Sequence, residues 1–220
     1  MIFGKDSDDD TVVAMLASAL RRDIAFGVLG PDQKLKIEQL RQRYGGSNHS
    51  LRETLRLLTA EGLVEATSQR GFRVTSATER DRQDILMIRL QIETLGLSRS
   101  LERADIAWEG RVIAAFHSLD HADQRVQLNL DDLTALQWDH ASKSAAVALV
   151  RQSDSRRLIE LTETFQGQSG RFRLARLREG LIDFAARKTR REMLQSAILA
   201  RQGDAATAIL RTDISADLGN

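Results

Sequence analysis

Groups able to grip a partner are concentrated at a few places in this 220-residue sequence. Ser47, Asn48, His49, Ser50 and Arg52 bring hydroxyl, amide, imidazole and guanidinium groups close together, and Arg56 follows one helical turn after Arg52. An arginine fork can hold a guanine edge or a phosphate, and an asparagine amide can pair bidentately with adenine. The two arginines could equally lie on a solvated face, paired with Glu53 or Glu61. Further along, Arg89 and Glu93 stand among Ile85, Ile88 and Ile92. Charges at inward positions need partners or a task, so this pair reads either as a structural ion pair or as an anion-binding group. His117 and His121 share a four-residue spacing beside Asp120, a pattern that fits a solvated helix face better than a metal site. There is no cysteine, which excludes disulfides, thiolate zinc sites and cysteine nucleophiles. No nucleophile elbow or phosphate loop is present either.

Helices must position these groups. One proline, Pro31, and an abundance of Ala, Leu, Arg, Glu and Gln favour long uninterrupted helices. Val12, Val13, Leu16, Leu20 and Ile24 recur at helical spacing, with Thr11 as a capping residue and Asp6 to Asp10 as a frayed acidic tail. Gly27 and Gly30-Pro31 end that helix. A short helix over about Ile37 to Tyr44 stops at Gly45-Gly46. Ser47 then caps a third helix to about Ala60, with Leu51, Leu55 and Leu58 inward. Leu63 to Ala66 and Phe72 to Thr75 read as a hairpin. Helix, helix-turn-helix and hairpin together make a winged helix-turn-helix over residues 11–76. Ten basic residues against six acidic ones in that span suit a phosphate-backbone partner.

The rest, residues 79–216, reads as an all-α antiparallel bundle of six or seven helices. The first carries Ile85, Ile88, Ile92 and Leu95; others run from Trp108, Asp131, Arg156 and Leu181, and a last one from Asp204. Gly167 and Gly170 are expected to interrupt or kink the Arg156 helix. The basic cluster Arg171, Arg173, Arg176, Arg178, Arg187, Lys188, Arg190 and Arg191 reads mostly as solvated helix surface. With 42% hydrophobic and 29% charged residues the composition is that of an ordinary globular protein. No apolar run approaches the ~18 residues of a membrane span, and the acidic start lacks a secretory pattern. A cytoplasmic protein is expected.

Three segments in order carry a resemblance to the GntR family of transcription regulators: Ile24 to Leu35, Ser47 to Leu58, and Ala60 to Val64 followed by Gln69 to Val74. Asp84 to Glu93, Leu149 to Leu158 and Ala197 to Ala206 are similar to the FCD effector domain of the FadR subfamily. The resemblance implies that Ser47, Asn48, His49, Ser50, Arg52 and Arg56 face operator DNA, with Arg70 and Gly71 at the wing and Lys36 nearby. Ser47-Asn48 departs from the family's Ser-Arg, and Gly46 stands where valine is common, which bears on the operator sequence. Many FCD domains hold a divalent metal; the matching positions here are Ser142, Ala146, Arg191 and Asp213, so no metal and no cofactor is expected. An anionic effector would then meet Arg89 and Arg191 instead.

The expectation is therefore a non-enzymatic homodimer on double-stranded operator DNA, controlled by a small carboxylate metabolite through a shift between two arrangements. An all-helical metal-dependent binding protein or enzyme, and a helical protein-interaction module, are the alternatives.

Overall fold

In the computed structural model the described residues are 6–67 and 71–218. The chain divides into two compact units, Met1–Thr78 and Glu79–Asn220. The first contains α1 (Asp6–Ala25), β1 (Lys34–Leu35), α2 (Ile37–Tyr44), α3 (Asn48–Ala60), β2 (Val64–Thr67) and β3 (Gly71–Val74). Leu16, Leu20 and Ile24 of α1 meet Leu51, Leu55 and Leu58 of α3, with Leu35, Val64 and Val74 closing the core from the sheet. Burying each such side chain fully is worth about 1.5–3 kcal/mol, which is what holds α3 in place. β3 is central and antiparallel to both neighbours, in the order β1-β3-β2. It pairs Val74 with Val64 and Phe72 with Leu35. The expected hairpin thus gains a third strand, since Lys34-Leu35 passes the otherwise unpaired edge of β3.

A buried carboxylate ties α2 to α1. Asp23 is 3% exposed and accepts hydrogen bonds from the Tyr44 hydroxyl at 2.6 Å, Arg43 Nη2 at 2.9 Å and Arg22 Nε at 3.1 Å. Burial, and then the bond to Asp23, push the Tyr44 hydroxyl pKa up to about 12. Arg21 likewise forks onto Glu61 with bonds of 2.8 and 2.6 Å, fastening α1 to the end of α3. The helix-to-helix turn then requires left-handed backbone at both Gly45 (φ 75°) and Gly46 (φ 81°).

Among the described residues the second unit has six helices: α4 (Glu79–Glu102), α5 (Ile106–Leu128), α6 (Asp132–Val150), α7 (Arg156–Arg178), α8 (Phe184–Leu199) and α9 (Gly203–Leu218). Side-chain caps start four of them: Asp105 for α5, Asp131 for α6, Ser155 for α7 and Asp183 for α8. α4 packs on α6, α7 and α9, and α8 packs on α5 and α9. At Gly96 an added Cβ would stand 2.5 Å from Val150, so the α4 backbone lies directly against α6. No helix among the described residues is long and apolar enough to cross a membrane.

Several expectations are corrected. α1 begins at Asp6, so Thr11 lies inside the helix and not at its N-cap. α7 runs unbroken through Gly167 and Gly170, because packing on α4 and α6 outweighs the propensity penalty. The buried stripe of α4 is Ile85, Arg89, Glu93, Leu97 and Ser100, and Leu95 is exposed. The apolar spacing alone pointed about one residue around the helix, because two of the inward positions are charged.

The Gly45-Gly46 turn generates a stability prediction. A Cβ on Gly46 would lie 3.0 Å from Leu16 Cδ1 and 3.2 Å from Ser50 Oγ, on backbone that β-branched residues avoid. Gly46→Val should lower stability by about 1–3 kcal/mol, read as a reduced denaturant midpoint. A variant with the parental midpoint would show that the turn relaxes freely.

Candidate functional site

α3 opens with a reciprocal cap. Ser47 Oγ accepts from the Ser50 amide at 3.0 Å, and Ser50 Oγ accepts from the Ser47 amide at 2.9 Å. The expected N-cap is therefore Ser47, as the sequence indicates. Ser50, however, is only 1% exposed and its hydroxyl is used within the cap, so it shapes the helix start instead of facing a partner. Asn48, His49 and Arg52 are exposed on the first turns. Arg52 makes no ion pair among the described residues, whereas Arg56 is drawn onto Glu53. The two arginines thus differ: Arg52 has no carboxylate partner among the described residues, whereas Arg56 shares an exposed ion pair with Glu53.

Lys36 is exposed immediately before α2, at its N-cap position. Gly71 opens β3 opposite Thr67. Its φ is not left-handed; a Cβ there would stand 2.9 Å from Thr67 Oγ1, so crowding across the strand pair is what a side chain would meet. Arg70 lies outside the described residues.

In the helical unit a cavity of about 50 Å³ is lined by Arg89, Arg173, Arg187 and Arg191, together with Glu93, Asp213, Asp217, Ser142 and Ala146. Arg89 and Arg191, singled out in the sequence, therefore reach one cavity. So do Ser142, Ala146, Arg191 and Asp213, the four positions that the FCD resemblance aligns with metal ligands. Arg89 donates to Glu93 Oε1 at 2.7 Å, Asp217 Oδ2 at 2.9 Å and Ser169 Oγ at 3.3 Å. Arg173 Nη1 reaches the same Asp217 oxygen at 3.2 Å, and its Nε reaches Asp139 at 2.9 Å. Arg187 Nη1 takes the other Asp217 oxygen at 3.0 Å, and Nη2 takes Ser142 Oγ at 3.2 Å. Arg191 is held by Asp120 and by Asp123, the latter at 2.6 Å.

Electrostatics follow from this packing. Burial opposes the Arg89 charge, but Glu93 and Asp217 outweigh it and raise the guanidinium above its usual range. Burial likewise opposes the Asp217 charge, yet Arg173, Arg89 and Arg187 hold its carboxyl well below the usual carboxylate range. Arg191 is raised against burial by Asp123 and Asp120.

These residues do not fit a metal. Ser142 and Ala146 offer no strong ligand, Arg191 brings a positive charge, and Asp213 already accepts from Arg190 at 2.8 Å. Among the described residues no group of three His, Cys, Asp or Glu could hold a metal ion. His121 and His140 line a separate groove with Arg125, between α5 and α6.

Arg173, Arg187 and Asp217 escaped the sequence reading. Arg173 has no exposed surface and Arg187 is 7% exposed, so neither belongs to a solvated basic face; carboxylates from other helices supply their partners. A signal existed in α7, where Thr162, Gln166, Ser169 and Arg173 recur on one buried face. α9 carries a similar one, the inward series Ala206, Leu210, Ile214 running on to Asp217.

An exposed cationic first turn on the second helix of a helix-turn-helix, beside a three-stranded wing, defines a winged helix-turn-helix DNA-binding protein. Residues 13–74 match the model of the bacterial regulatory proteins of the gntR family. The chain is 32% identical over 201 residues to the HTH-type transcriptional regulator BphR of Paraburkholderia xenovorans (strain LB400), covering 90% of this chain and 80% of that protein. It is 30% identical over 197 residues to the HTH-type transcriptional repressor GlaR of Escherichia coli (strain K12), covering 87% of each. Among solved structures, E. coli McbR/YncC shares the fold with a TM-score of 0.72 at 17% identity, over 93% of each chain. The protein belongs to the GntR family and is a DNA-binding transcription regulator.

The ion cluster makes acid stability testable. Because the folded Asp217 pKa is depressed, its contribution is present at neutral pH and is lost as pH falls through the carboxylate range. Asp217→Asn should destabilise by about 3–5 kcal/mol at pH 7, and should make stability fall less steeply on acidification. Parallel acid limbs for parent and variant in denaturant titrations would refute the depressed pKa.

Proposed function

We propose that this regulator reads a pseudo-palindromic operator as a cytoplasmic homodimer, and that a small carboxylate metabolite bound in the helical unit controls its affinity. The observation that carries the DNA half is Arg52, exposed on the first turns of α3 and without an ion pair among the described residues. Asn48 and His49 stand beside it for base edges, while Ser47, Lys36, Gly71 and Arg70 serve the phosphates and the wing. Arg56 contributes less, being paired with Glu53. Ser50 acts through the cap that sets the start of α3.

Support for the effector half is the cavity that collects Arg89, Arg173, Arg187 and Arg191. A carboxylate prefers a guanidinium fork in low-dielectric surroundings, where two charge-assisted bonds fix its orientation. We assign the helical unit, residues 79–216, to an FCD-like effector and dimerisation domain in which arginine chemistry has replaced the metal. Effector binding shifts the regulator between two arrangements only by its differential affinity for them. No catalytic step is assigned to the chain.

Arg52→Ala should weaken operator binding by about 1–3 kcal/mol if Arg52 reads a base, and the loss should vary with the base pair it faces. The measurement is a titration of operator and scrambled duplexes at matched salt. Parental affinity for the operator would remove Arg52 from the interface.

A further inference from the structure

We propose that Asp217 occupies the protein's own carboxylate site, and that the effector is an apolar monocarboxylate which takes its place on Arg89, Arg173 and Arg187. This rests on the reading of the cavity as the effector site. Asp217 is the single carboxylate shared by those three guanidiniums, at 2.9, 3.2 and 3.0 Å. Glu93 has its own anchors in Arg89 Nε and Gln166, and Asp139 has its own in Arg173. The three arginines thus face three carboxylates, and exchange of Asp217 for one external carboxylate leaves the buried charge unchanged. A dicarboxylate would bring a second negative charge with no cation to meet it, since Arg191 is already held by Asp120 and Asp123.

Two further observations define the ligand. Arg187 is buried and lines the cavity, and among the described residues its Nε has no hydrogen-bond acceptor, so Asp217 leaves one donor of this guanidinium unsatisfied. Much of the remaining wall is apolar, Phe116, Leu119, Leu149, Leu194, Leu210 and Ile214, and the polar side chains beside it are already engaged: Ser142 by Arg187, Asp213 by Arg190 and Gln166 by Glu93 and Arg173. A short acid with an apolar tail matches both halves; a polyhydroxylated acid would strand its hydroxyls against that wall. On exchange, Asp217 leaves with the last turn of α9, which loses its tie to α4, α7 and α8. The cavity and the end of α9 are thereby coupled through competition between two carboxylates for the same forks.

The test compares parent, Asp217→Ala and Asp217→Asn with sodium butyrate as the probe, against sodium succinate and sodium chloride at matched ionic strength. Butyrate should raise the melting temperature of both variants at concentrations at least about tenfold lower than it needs for the parent. Succinate and chloride should show no such preference. Should Asp217→Ala fold poorly, its folded yield on refolding with butyrate against chloride replaces the melt, and Asp217→Asn supplies the titration. In the parent, saturating butyrate should speed amide exchange over residues 214–217; slower exchange there would overturn the replacement. Equal butyrate affinity in parent and variants, abolished by Arg187→Met, would overturn the exchange while leaving the effector cavity intact. Absence of any response to butyrate or succinate in all three proteins would overturn both the exchange and a carboxylate cavity.

Discussion

Guanidiniums can be buried side by side only if carboxylates come between them, and in the helical unit Asp217 comes between three. That requirement brings four helices to a common point: α4 through Arg89, α7 through Arg173, α8 through Arg187 and α9 through Asp217. Apolar faces alone tolerate small slips of one helix past another. Directional pairs near 3 Å do not, so the cluster specifies the relative register of the helices more sharply than leucine packing could. The same pairs account for the depressed carboxyl of Asp217 and the raised guanidiniums of Arg89 and Arg173.

The winged unit applies the same rule on a smaller scale. Asp23 gathers Tyr44, Arg43 and Arg22 and thereby sets α2 against α1. Here the arginines are half exposed, so less is at stake in their pairing. The cap of α3 is built from two neutral serine side chains, with no acidic residue in the first turn. A glutamate in the reciprocal position would set a negative charge near the helix end that faces DNA in this class of protein.

Much of the fold was legible because local signals agreed. Ser47 after Gly45-Gly46, followed by leucines at helical spacing, locates α3 closely. Aspartates and serines likewise mark the starts of α5 through α8, although α5 and α8 begin at Ile106 and Phe184, offset by two or three residues from the expected Trp108 and Leu181. β1 was missed because two residues carry no period, and its pairing to β3 depends on Phe72 and Arg73, far along the chain. Arg89 was legible as inward because its neighbours are apolar. Arg173 and Arg187 were not: both sit in arginine-rich stretches, and the carboxylates that neutralise them come from α6 and α9. Burial of a charge depends on a partner's position in space, which periodicity along one helix does not encode.

The contact of Gly96 with Val150 gives the cavity an asymmetric mechanics. Seven residues beyond Arg89, the α4 backbone already rests on the Val150 side chain of α6 with no side chain of its own between them, so this jaw has nowhere to close. Under the proposed exchange, displacement within the bundle falls to the opposite jaw, where the end of α9 is tied by charge. One wall acts as an anvil and the other as a latch, and a side chain larger than hydrogen at position 96 would shift the anvil itself.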